Sequence, residues 1–119
     1  MNKKIEKAFA GFTVNGKAVP VKFLQYMGKS DTYVVYYESD SQGALYGDDE
    51  LLNYVSYYDF SIYTKGNYKP IVEAIKSIML GLGFTWCMSR DSADMYEADT
   101  GYYHKVICFA IERSEEKNG

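Results

Sequence analysis

The chain has 119 residues and a formal net charge of −3, which suits one domain whose core needs no metal or disulfide staple. The acidic balance argues against a protein held to nucleic acid by phosphate contacts. No run of about 18 apolar residues is present, so no membrane-spanning helix is expected. Aromatic residues make up 17% of the chain and 13 of them are tyrosine. Tyrosine joins a large apolar ring to a polar tip, which suits both half-exposed strand positions and protein–protein contacts.

The N-terminal segment, MNKKIEKAFAGF, is basic with a charged middle. It lacks the long apolar stretch of a secretory signal, so the expected place of folding is a cytoplasm. Residues 2–12 suit a short helix, with Asn2 as N-cap and Ile5, Phe9 and Phe12 on one face. Asn15-Gly16 signals a tight turn. Residues 19–27 read as a strand with Pro20 near its start, which suits an edge or a strand-entry position. After a turn at 28–31, the β-branched and aromatic run 32–39 reads as a second strand. Residues 40–50, polar and acidic, read as a mobile loop.

Residues 51–64 alternate with period two. Tyr54, Ser56, Tyr58, Phe60 and Ile62 form the expected core face, and Val55, Tyr57, Asp59, Ser61 and Tyr63 the wetter one. The spacing of Ile71, Val72, Ile75, Ile78, Met79 and Leu82 predicts an amphipathic helix over 68–82. Asn67 stands as its cap, Pro70 lies in its first turn and Gly83 stands just past its end. A short strand over 84–89 precedes an acidic loop or single helical turn at 90–101. Residues 102–113 carry apolar side chains on both faces, Val106, Cys108 and Ala110 against Ile107, Phe109 and Ile111, and predict a central strand. The expected class is α+β: a mostly antiparallel sheet packed against one long amphipathic helix and a short N-terminal helix. One domain is expected over 1–113, followed by a disordered tail at 114–119.

Residues able to do chemistry are few. His104 is the sole histidine, so any nucleophile–histidine arrangement must use it. Asp91, Asp94, Glu97 and Asp99 cluster in sequence but lack the Asx-x-Asx-x-Asx-Gly pattern of a calcium loop. Cys87 and Cys108 lack metal-site spacing and are expected as buried free thiols. Gly81-Leu82-Gly83 ends a helix rather than opening one, the wrong geometry for a phosphate cradle. The aromatic strands lack the basic flanks that a base-stacking sheet needs. No catalytic residue, cofactor or metal is expected.

Several segments carry a family resemblance. They are Asp31-Thr32-Tyr33-Val34-Val35-Tyr36-Tyr37, Gly47-Asp48-Asp49, Tyr58-Asp59-Phe60-Ser61-Ile62-Tyr63-Thr64-Lys65-Gly66-Asn67-Tyr68, Ser89-Arg90-Asp91-Ser92, and the run from Asp94 to Lys105. Together they resemble small proteins of the head–tail module of siphophages and prophages of Gram-positive bacteria, the tail completion, tail terminator and head–tail joining proteins. The resemblance covers roughly residues 20 to 112. It implies a virion protein assembled in the host cytoplasm as a ring of about six copies. Such a ring caps the tail tube, stops its growth and docks to the head connector, so the implied partners are other copies, the tail tube protein and the connector protein. No catalysis, membrane or specific nucleic acid is implied.

A closed ring needs two different edges per subunit. The first thirty residues are basic (lysines at 3, 4, 7, 17, 22 and 29), and acids gather at 38–59 and 91–99, which suits head-to-tail contact. The candidate interface residues are Asp48 and Asp49 in the 40–50 segment, and Asp91, Asp94, Glu97 and Asp99 in the 91–101 segment. Tyr57, Tyr63, Tyr102 and Tyr103 are candidate aromatic anchors. Two other classes compete. A monomeric binding module would use an aromatic sheet face; a small enzyme would bring His104 and the 91–99 carboxylates into one pocket.

Overall fold

A computed structural model describes residues 2–46 and 51–114. The class is the expected α+β. The element order is α1 (Asn2–Ala8), β1 (Thr13–Val14), β2 (Lys17–Ala18), β3 (Val21–Phe23), β4 (Thr32–Tyr46), β5 (Leu51–Thr64), α2 (Lys69–Gly81), β6 (Thr85–Trp86), a 3₁₀ turn at Met88–Arg90, β7 (Met95–Glu97) and β8 (Tyr102–Ser114). The main sheet runs β3-β4-β5-β8, and both β6 and β7 pair with the far side of β8. Among the described residues only the β3–β4 pair is parallel. The central placement of β8 agrees with its two apolar faces.

Local chemistry explains the turns. Asn15 and Gly16 take φ of 53° and 80°, the pair of positive values that a two-residue hairpin between β1 and β2 requires. Asn67 Oδ1 accepts from the Lys69 backbone N–H at 3.0 Å, next to the start of α2. At the other end Gly83, with φ of 97°, closes the helix. Its N–H donates to the Leu80 carbonyl and that of Phe84 to the Met79 carbonyl. These are the two bonds of a Schellman cap, and Phe84 and Met79, the positions of its hydrophobic contact, are both buried in the core.

Both helices cover one face of the sheet. Ile5, Phe9 and Phe12 from the N-terminal segment and Ile71, Val72, Ile75 and Met79 from α2 bury against Val34, Tyr36, Tyr58, Phe60, Ile62, Ile107 and Phe109. Phe60 is the hub: Tyr36 stacks on it at 5.3 Å, Phe109 meets it edge-on at 5.7 Å, and Phe9 tilts against it at 5.6 Å. Fully burying each such ring contributes roughly 2–3 kcal/mol.

Several expectations need correction; of the strand expected over 84–89 only Thr85–Trp86 is strand, because the chain turns into the 3₁₀ turn at Met88–Arg90. α1 stops at Ala8 rather than 12, because the chain turns through Gly11 with φ of 70° to bring Phe12 back onto the core. β3 is three residues long rather than nine, ending where Leu24 adopts φ of 71°. Residues 40–46 continue β4, since β5 offers a partner for each of them; residues 47–50 lie outside the described residues, as do 115–119. The 90–101 segment contains β7, a short strand held to β8 through Met95↔His104, Tyr96↔Tyr103 and Glu97↔Tyr102.

The sheet outgrows its helical cover. β3 pairs with β4 only over Val34–Tyr36, whereas β4 and β5 pair as far as Tyr46 and Leu51. The β4–β5 hairpin and the end of β8 therefore extend past the body, and the chain measures 52 × 27 × 24 Å.

Candidate interaction surface

The face of the sheet opposite the helices carries a continuous aromatic row. Register places Tyr33 of β4, Tyr63 of β5 and His104 of β8 side by side. Tyr33 and Tyr63 stack at 4.8 Å, and Tyr63 and His104 at 4.1 Å. Tyr26, from the loop after β3, extends the row by stacking on Tyr33 at 4.6 Å. Its hydroxyl accepts from the Ser30 N–H at 3.0 Å. Tyr102 meets Tyr33 and Tyr63 edge-on and donates its hydroxyl to the Ser30 carbonyl at 3.1 Å, while the Lys65 ammonium lies 5.2 Å from its ring.

The row is half-buried, so one edge of each ring is wet. Burial pushes the Tyr33 and Tyr63 hydroxyls up in pKa; Tyr63 adds to the effect on Tyr33, and Glu97 to that on Tyr63. Burial also lowers His104, against the opposing pull of Glu97. His104 Nε2 is buried without a hydrogen-bond partner among the described residues, which fits a neutral ring held by stacking.

A second cluster lies further along the same face. Ser39 is an extra residue in β4: Glu38 pairs with Tyr58, but Asp40 pairs with Tyr57. This bulge moves Asp40 onto the face that carries Tyr57. The Arg90 guanidinium sits 3.6 Å over the Tyr57 ring and binds Asp40 Oδ2 at 3.3 Å. Ser39 Oγ donates to Asp59 Oδ1 at 2.9 Å. The 3₁₀ turn that carries Arg90 is itself anchored by Asp91. One Asp91 oxygen accepts from Trp86 Nε1 at 2.8 Å, and the other from the Cys108 N–H at 2.9 Å.

The candidate residues thus fall into distinct settings. Tyr63 and Tyr102 join the aromatic row. Tyr57 lies beneath Arg90. Asp91 braces the edge of β8. Asp94 accepts from Lys105 Nζ at 3.3 Å, and the Tyr68 hydroxyl and Lys105 hold its carboxyl below the usual range. Glu97 accepts from Thr100 Oγ1 at 3.0 Å. Asp99 is exposed, and Tyr103 is exposed beside Tyr96 at 4.8 Å. Asp48 and Asp49 lie outside the described residues. Tyr26, Tyr33, Asp40 and Arg90 are surface residues that sequence reasoning missed. The alternation of Tyr33 with Val34 carried a signal for one of them.

His104 lies in the aromatic row, whereas Asp94 is bound to Tyr68 and Lys105 and Asp91 to Trp86 and the β8 backbone, so these side chains do not converge. Among the described residues no three His, Cys, Asp or Glu side chains are grouped to hold a metal. Among the described residues no helix is long and apolar enough to cross a membrane. A scan against protein-family models gives no match for this chain, and neither does a search of curated proteins.

Proposed function

We propose that this chain is a structural subunit of the head–tail junction of a tailed phage, a tail terminator-like protein. It works as a closed ring of identical copies that caps the tail tube and docks to the head connector. The observation that carries the assembly part of this reading is the opposite charge of the two sheet flanks. On the β3 side, Lys3, Lys4 and Lys7 of α1 and Lys22 of β3 are all exposed. On the β7 side, Glu97 and Asp99 are exposed. β3 and β7 are also strands at opposite edges of the sheet, and unpaired edges are templates for strand addition by another chain. A basic edge meeting an acidic one on the next copy gives a heterologous contact that closes into a ring if the rotation allows. The overhanging β4–β5 hairpin supplies reach toward a neighbour or the tube. The identity of the partners rests on the family resemblance.

Charge reversal tests the contact. The triple change Lys3→Glu, Lys4→Glu and Lys7→Glu should abolish assembly at moderate salt. Adding Glu97→Lys and Asp99→Lys to the same chain should restore it. A triple variant that still assembles normally, or a combined variant that folds but stays unassembled, would remove these edges from the interface.

The aromatic row favours one other reading, a monomeric module that binds a protein through the face containing Tyr26, Tyr33 and Tyr63. That reading predicts a monomer whose partner binding is lost on Tyr33→Ala. The ring reading predicts assembly that survives the same change.

A further inference from the structure

Cys87 and Cys108 occupy opposite positions on neighbouring antiparallel segments. β6 pairs with β8 through Thr85↔Ala110 and Trp86↔Phe109, and the next position in that register is Cys87 against Cys108. The Cys87 N–H donates to the Cys108 carbonyl at 2.9 Å, so the backbones remain adjacent there. Directly opposed residues of an antiparallel pair project to the same face with Cα atoms about 4.5–5.5 Å apart. That lies within the roughly 4.4–6.8 Å a disulfide spans. Both cysteines are free thiols in the structure; Cys108 is fully buried and Cys87 partly exposed. We propose that Cys87 and Cys108 form a reversible oxidation site, in which a small-molecule disulfide reacts at Cys87 and Cys108 resolves the adduct into an intramolecular disulfide.

The exchange balances without a further reagent. The Cys87 thiolate attacks one sulfur of the small disulfide, forming a mixed disulfide and releasing one small thiolate, which takes up the Cys87 proton. Cys108 then attacks Cys87 Sγ. The Cys87–Cys108 bond forms, the second small thiolate leaves, and it takes up the Cys108 proton. Two protein thiols are oxidised and one small disulfide is reduced to two thiols.

The surroundings set the order and the pace. Only Cys87 is reachable from solvent, so it reacts first. Burial raises its thiol pKa, and the nearby Arg90 opposes that rise. Burial and the hydrogen bond to Asp59 push the Cys108 thiol up to about 12. Cys108 is therefore inert toward outside reagents and acts only through its fixed proximity to Cys87. Oxidation is slow at neutral pH and quickens with rising pH. The bridge ties the segment carrying the 3₁₀ turn and β7 to the central strand.

The test treats the folded chain with oxidised glutathione at pH 8, followed by intact mass, non-reducing peptide mapping and a melting curve. The expected product has lost two hydrogens, carries no adduct and yields one peptide pair joining Cys87 to Cys108. It melts roughly 5–15 °C higher and reverts on reduction. In Cys108→Ala a single glutathione adduct should accumulate at Cys87. Should that variant fail to fold, Cys87→Ser serves instead, and it should remain unmodified. A native chain that keeps its adduct at Cys87, stays fully reduced, or links chain to chain overturns the proposal, as does modification of Cys108 in Cys87→Ser.

Discussion

His104 is held in place by ring stacking. Its ring stacks on Tyr63, and its buried Nε2 has no partner among the described residues. Burial lowers its pKa below the unfolded value of about 6.5. The unfolded chain therefore binds the proton more readily than the native one. The contribution to stability is complete above about 6.5 and is lost as pH falls from there toward the depressed native value. His104→Phe keeps a flat ring against Tyr63 and removes the titration. Urea unfolding across pH 5 to 8 should show the native chain losing stability relative to this variant only at the acid end. Parallel curves over the whole range would mean that the histidine does not titrate differently on folding. Asp40 makes a further point at this scale. Strict alternation from Thr32 puts it with the residues facing the helices; the bulge at Ser39 reverses that and gives Arg90 its carboxylate. No feature of the local sequence marks the extra residue, because a bulge is a property of the strand pair.

Among the elements, α2 was the most legible and β3 the least. The stripe of Ile71, Val72, Ile75 and Met79 matches the buried side of the helix, and Pro70 and Gly83 bracket it as their backbone chemistry requires. Ile75 is fully buried at the centre of that stripe. Ile75→Asp loses its packing and places a carboxylate among apolar groups, and should cost about 3–5 kcal/mol. A shift in urea midpoint against the native chain reads this directly, and an unchanged midpoint would mean that α2 does not form the core. β3 looked longer because Leu24, Gln25 and Tyr26 carry side chains suited to a strand. Tertiary demands prevailed: the chain leaves the sheet at Leu24 so that Tyr26 can fold back and stack on Tyr33. The reverse happened at residues 40–46, whose polar composition suggests a loop but whose backbone is held by pairing with β5. Composition reports side-chain burial, and backbone pairing with a partner strand leaves no such mark in it.

For the whole molecule, class and the two-faced character of the sheet were readable from periodicity. The tyrosine excess suggested half-exposed strand positions or a contact surface, and several of the tyrosines stack in a half-buried row on the open face. Tyr63 and Tyr102 of the expected anchors lie in it, joined by Tyr26 and Tyr33, while Tyr57 lies apart under Arg90. Which residues a loop or an edge turn brings together is long-range information, and single-strand alternation does not contain it. The charge asymmetry, by contrast, was legible early: lysines cluster near the N-terminus and acids around 91–99, and the fold carries exposed members of these groups to opposite flanks of one sheet. Assembly through those flanks should weaken with salt, because the charges are exposed and screened. The most direct test is the solution mass by light scattering after size exclusion, at low and high protein concentration and with preformed tail tubes added. The ring account predicts one discrete closed species near six copies, alone or on the tubes. A chain that stays strictly monomeric in every one of these conditions contradicts it.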